Sequence, residues 1–184
     1  HAGDFVLLED LGANIAMLVP ATIAALNVSG LDRIAASDTA LNLTVAQFEA
    51  LGSIALTDAN TVVLVDSGAN LGAMTAAEIA GLEGLAVDAL DASDDVLVLN
   101  VAQYNSLGAV ELALDDTITL RDTEANLDTL GLAGISGLAG NGIDVIDSLD
   151  DALSMTVAEY QALGTTSLTP EDTVTLEDLA ANIQ

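Results

Sequence analysis

The chain has 184 residues, 2 Lys+Arg against 29 Asp+Glu, a formal charge of −27, 52% hydrophobic types, 2% aromatics and no cysteine. That length fits one domain, and so many apolar residues argue for a folded chain despite the charge. Arg33 and Arg121 are too few to neutralise a phosphate backbone or an anionic headgroup surface, so nucleic acid is excluded and membrane insertion is not expected. The absence of cysteine excludes disulfides, thiolate metal sites and thiol nucleophiles.

The start, His1 to Asp4, lacks the basic stretch of a signal peptide. Leu11 to Leu31 carries no charge, but Asn14, Pro20, Thr22 and Asn27 interrupt it, and it reads as a buried helix with flanks rather than a membrane span. Thr44 and Gln47 form a capping box, the pattern in which each residue satisfies a backbone N–H of the other. Thr61 to Val65 is a β-branched run and reads as a strand. Asp66 to Asn70 is turn or cap chemistry, and Thr75 with Glu78 opens a helix through Ile79 and Leu82. Val87 to Ser93 reads as a second strand that leads into the acidic turn Ser93-Asp94-Asp95 and continues extended over Val96 to Leu99. Asn100 with Gln103, and later Thr156 with Glu159, repeat the capping box. The helix after Asn100 should stop near Gly108, with a further strand over Val110 to Leu114.

These elements recur. Asp10, Asp66, Asp122 and Asp178 are 56 residues apart, as are Asn14, Asn70, Asn126 and Asn182. Asp32, Asp88 and Asp144 keep that step, as do Asp38, Asp94 and Asp150, and Phe48 becomes Tyr104 and then Tyr160. The chain divides into units 3–57, 58–113 and 114–169 and a partial unit 170–184, within a single domain 1–184. Each unit reads as one longer and one shorter strand–helix coil. Such coils bury their apolar faces by stacking on neighbours. The expected fold is therefore an α/β solenoid of stacked strand–helix coils, with a parallel sheet on one wall and short helices on the other. The last coil should present an uncapped apolar face, to be covered by further repeats or by another copy of the chain.

Two acidic groups are candidate sites. Asp88, Asp91, Asp94 and Asp95 lie close in one unit, and Asp144, Asp147, Asp150 and Asp151 in the next. The simpler reading makes them solvated turns that keep the repeat soluble and cap adjacent strands. The alternative makes them Ca2+ ligands, because calcium takes six to eight hard oxygens and relieves carboxylate repulsion. Neither the EF-hand loop nor the calcium nonapeptide occurs. The first unit keeps only Asp32 and Asp38, with Ala35 and Thr39 at the other places, and should bind calcium worst. The Asp-x-x-x-Asn column (Asp10/Asn14, Asp66/Asn70, Asp122/Asn126, Asp178/Asn182) reads as a cap, with stacked amides bonding the backbone of adjacent coils; a second ligand row is the alternative. Phe48, Tyr104 and Tyr160 read as core or helix contacts rather than a carbohydrate platform. No enzyme is expected: the one histidine is His1, lysine is absent, and the acids are copied unit by unit.

Val87 to Leu97 (VDALDASDDVL) resembles a leucine-rich repeat, with Asp95 at the Asn place and Ala92 at the third Leu place; 143–153 and 31–41 follow the same pattern. The phrases DSGANL at 66–71, VAQY at 101–104 and TVTLED at 173–178 resemble the Ala/Leu/Asp-rich arrays of very large secreted or surface proteins of Gram-negative bacteria. That resemblance implies an adhesin, biofilm-matrix or surface-layer component outside the cell, often calcium-dependent. Its partners would be copies of itself, adjacent repeats, or a surface glycan or protein.

Overall fold

A computed structural model describes residues 4–179 and 182. It is mixed α/β, and every strand pair is parallel. The first unit carries β1 (Leu7–Asp10), α1 (Gly12–Ala16), α2 (Pro20–Val28), β2 (Arg33–Ala36), β3 (Ala40–Leu43) and α3 (Val45–Ala50). The second carries β4 (Thr61–Asp66), α4 (Gly68–Gly72), α5 (Ala76–Leu82), β5 (Ala89–Ala92), β6 (Val96–Leu99), α6 (Val101–Asn105) and β7 (Glu111–Leu112). The third carries β8 (Thr117–Asp122), α7 (Glu124–Asp128), α8 (Gly131–Leu138), β9 (Val145–Ser148), β10 (Ala152–Met155), α9 (Val157–Ala162) and β11 (Ser167–Leu168), and β12 (Thr173–Leu176) follows.

Local sequence accounts for most of these elements. In β4 the alternation places Val62 and Leu64 at 0% exposure while Thr61 faces solvent. All four capping boxes form, at Thr44/Gln47, Thr75/Glu78, Asn100/Gln103 and Thr156/Glu159. Each satisfies two N–H groups that a helix start leaves open. Asp66 to Asn70 is more than a turn: Ser67 caps the five-residue helix α4. Leu11 to Leu31 is not one buried helix. Pro20, at the first turn of α2, starts a separate segment in which Ile23 alone is buried. Among the described residues no helix is long and apolar enough to cross a membrane.

The sheet departs from the single continuous wall expected of a solenoid. Strands are ordered β3-β4-β5-β7 in one four-stranded sheet and β6-β8-β9-β11 in the next, with two-stranded sheets β1-β2 and β10-β12 besides. The break falls where β5 hands over to β6. Asp95 N–H donates to Ala92 O at 2.8 Å and closes a turn whose last residue has φ 57°. The chain leaves one sheet there and enters the next. Thr39 and Asp151 repeat that turn with φ 66° and 52°. The residues at the Asn place of the leucine-rich pattern are thus exposed left-handed turn residues.

The strand registers set apolar residues in columns. Leu43 pairs with Leu64, Leu64 with Leu90 and Leu90 with Leu112; in the next sheet Leu99, Leu120, Ile146 and Leu168 repeat this. Leu64, Leu90, Leu99 and Leu120 are all at 0% exposure. The helices close this core from the other side, so tightly at one point that only a small residue fits. A Cβ on Gly68 would lie 1.7 Å from Val96 O, and one on Gly12 1.8 Å from Ala40 O. The third unit carries Glu124 at that place and uses it differently: Glu124 Oε1 accepts from Ser154 N at 2.8 Å.

Candidate functional site

The acidic columns bond backbone 21 to 26 residues earlier in the chain. The Asp32/Asp88/Asp144 column bonds the start of an earlier strand: a carboxylate oxygen accepts from Val6 N (2.7 Å), Val62 N (2.7 Å) and Ile118 N (2.8 Å), each 26 residues earlier. The Asp38/Asp94/Asp150 column caps helix starts in the same way, accepting from Gly12 N (2.9 Å), Gly68 N (2.7 Å) and Glu124 N (2.8 Å). Asp88, Asp94, Asp144 and Asp150, half of the candidate calcium ligands, therefore each have an oxygen engaged by backbone.

The Asp-x-x-x-Asn column reaches further. In each copy one Asp oxygen accepts from the Asn amide, at 2.8, 2.7, 2.7 and 2.6 Å for Asp10, Asp66, Asp122 and Asp178. The same oxygen takes the next backbone N–H, that of Leu11, Ser67, Thr123 or Leu179. The other oxygen spans 21 residues to the first turn of the preceding short helix, at Val45 N, Val101 N and Val157 N. The expected roles are thus exchanged. The carboxylate bonds the preceding short helix, and the amide holds the carboxylate in position.

Charge state follows from these contacts. The Asn14 amide and Leu11 N–H hold the Asp10 carboxyl below its usual range, and the Asn182 amide and Leu179 N–H do so for Asp178. At Asp122 burial opposes ionisation, but the bonds from Asn126, Thr123 and Val101 together outweigh it, and its carboxyl is also lowered. A group depressed in the folded state contributes stability above its unfolded value, and that contribution is lost as pH falls through the folded value. Asp122→Asn should therefore flatten the acid side of a stability–pH profile measured by chemical denaturation. Asn70→Ala, which frees the Asp66 carboxylate to rotate, should cost about 1–2 kcal/mol in the same assay without changing the affinity for any ligand.

Asp91, Asp95, Asp147 and Asp151 are placed differently. Asp147 is paired, accepting from Arg121 Nε at 2.9 Å. Asp91 has no such cation. Burial, with repulsion from Asp115 and Asp95, pushes its carboxyl up. Among the described residues no group of three or more His, Cys, Asp or Glu is arranged to hold a metal ion.

Two further columns carry joints that the sequence reading did not single out. Gln47 and Gln103, besides closing their capping boxes, are buried and donate from Nε2 to two carbonyls 29 and 31 residues earlier. These are Ala16 O (2.8 Å) and Leu18 O (2.7 Å) for Gln47, and Gly72 O (2.9 Å) and Met74 O (2.6 Å) for Gln103. The 56-residue step also aligns Asn60, Asp116 and Asp172, which bond the ends of β2, β5 and β9 at Ala36 N, Ala92 N and Ser148 N. The step itself could have revealed both columns; their partners, 24 to 31 residues away, leave no local pattern.

Phe48 and Tyr104 pack against the core, whereas Tyr160 is 49% exposed. Tyr104 Oη accepts from Asn141 Nδ2 at 2.8 Å. Phe48 and Tyr104 each border an open groove, of about 280 Å³ and about 610 Å³, at equivalent places in successive units. No family model, curated protein or solved structure matches this chain.

Proposed function

We propose that the chain is a non-enzymatic structural or adhesive repeat module of a bacterial surface or matrix protein, in which strand–helix coils continue as a solenoid. The observation that carries this reading is the use of the recurrent acids. The columns at Asp32, Asp38 and Asp66 and their equivalents each join one coil to the coil before it, a task every unit needs and no catalytic centre repeats. The repeated phrases support the extracellular placement. Protease shaving of intact cells of the source bacterium, followed by antibody detection, tests the placement. Loss of the signal on shaving supports it, and a signal confined to the lysed fraction overturns it. Sedimentation velocity at high concentration tests assembly between copies, which monomers alone would rule out.

A calcium-binding module is the second reading. It is favoured by the candidate ligand Asp91, on which Asp115 and the fellow candidate Asp95 act repulsively, with no basic residue among the groups acting on it. Calorimetric titration with calcium, with melting curves in calcium and in EDTA, decides it: absence of heat and of any shift removes this reading.

A further inference from the structure

Asn60 grips the end of β2 with both atoms of its amide. Its Oδ1 accepts from Ala36 N at 2.7 Å and its Nδ2 donates to Ala36 O at 2.8 Å. The side chain thereby continues the sheet edge where the backbone of the next segment has turned away. One unit on, Asp116 stands in the same place. Its Oδ2 accepts from Ala92 N at 2.8 Å, as the amide oxygen does. Its Oδ1 takes the place of the amide nitrogen, is buried and has no hydrogen-bond partner. The residue is 6% exposed. An ionised carboxylate offers acceptors alone, so it cannot make the second half of this grip; a carboxylic acid can, because its O–H donates.

We propose that Asp116 is a proton-operated latch: protonated, it holds the end of β5 as Asn60 holds the end of β2, and on ionisation that grip is released. The proton sits on Oδ1, is donated toward Ala92 O, and leaves to solvent when the latch opens. The charged groups that face Asp116 are all acidic: Asp91 on β5, Asp95 in the turn before β6, and Asp115 in its own loop. Their equivalents around Asn60 are Ala35, Thr39 and Ala59, all uncharged. The two arginines are engaged elsewhere, Arg121 on Asp147 and Arg33 over the Phe5 ring. Burial pushes the Asp116 carboxyl above its usual range; the Ala92 N–H bond opposes this, and repulsion from Asp91, Asp115 and Asp95 adds to the rise. With the folded value raised, the contribution is fully present below the unfolded value and is lost as pH rises through the folded one. The latch is closed in acid, the opposite sense to Asp122.

The test uses the full chain in EDTA-containing buffer. Carboxyl carbon NMR, with Asp116 assigned through Asp116→Asn, should show Asp116 titrating above the ordinary aspartate range. Asp116→Asn should raise the denaturation midpoint at neutral pH and give no gain below that range, because the amide supplies the missing donor at every pH. Asn60→Asp should introduce a loss of stability toward neutral pH that the parent site at Asn60 lacks. Titration of Asp116 at or below the ordinary range, or an Asp116→Asn variant no more stable than the parent at neutral pH, overturns the proposal. So does stabilisation of the parent by added calcium that Asp116→Asn abolishes, since a cation rather than a proton would then be the partner of Oδ1.

Discussion

Gln103→Glu should destabilise the protein by about 3 kcal/mol or more, although it changes one atom and preserves the capping box. The third unit shows that the box itself accepts either residue, because Glu159 Oε2 bonds Thr156 N at 2.9 Å as Gln103 Oε1 bonds Asn100 N at 2.8 Å. What Glu lacks is the donor. Gly72 O and Met74 O, now served by Gln103 Nε2, would lose it and face a carboxylate oxygen across the joint with α4 and α5. Denaturant titration measures the loss, and Glu159→Gln is the matched control. It should be neutral or stabilising, since Asp128 and Leu130, which carry the equivalent carbonyls, line one cavity with Glu159. A Gln103→Glu variant as stable as the parent would show that those carbonyls find water instead.

Leu90→Ala should cost about 3–5 kcal/mol. Leu90 is at 0% exposure and lies between Leu64 and Leu112 in the column that crosses the four-stranded sheet. Backbone pairing on both sides of β5 limits how far the walls can collapse into the space left, so the cavity term adds to the lost transfer energy. Leu114→Ala is the control: at 95% exposure it should change stability by no more than about 0.5 kcal/mol. Thermal and denaturant unfolding of the two variants side by side measures the difference.

The residues that could be read in advance are those whose partners are close in sequence. Thr75 and Glu78 meet within one helical turn, and Val62 and Leu64 alternate within one strand, so type and position were both legible. The α4 helix was not, because GANLG carries two glycines and ranks low in helix propensity; Ser67 and the Asp94 carboxylate hold it. The break between β5 and β6 was hidden because ASDDV reads as a brief turn inside one extended run, whereas the left-handed Asp95 redirects the chain to a new sheet. The acids were identified by their period, but their tasks were not. Whether a carboxylate meets a metal, water or a backbone N–H one coil back depends on packing that composition does not encode. Gln103 was legible as half of a box and illegible as a bridge for the same reason.

The caps formed between neighbouring segments by the recurrent Asp columns and the Asn60 column run in one direction, whereas Asn27 and Glu124 reach forward to Ser53 N and Ser154 N. Asp32 serves Val6, Asp38 serves Gly12, Asn60 serves Ala36 and Asp66 serves Val45: in each case the later residue completes the earlier backbone. A polypeptide delivered amino end first, from a ribosome or through a narrow channel, can therefore mature progressively, each newly emerged segment finishing its predecessor. No step has to wait for the far terminus, because the partners are only a few tens of residues apart.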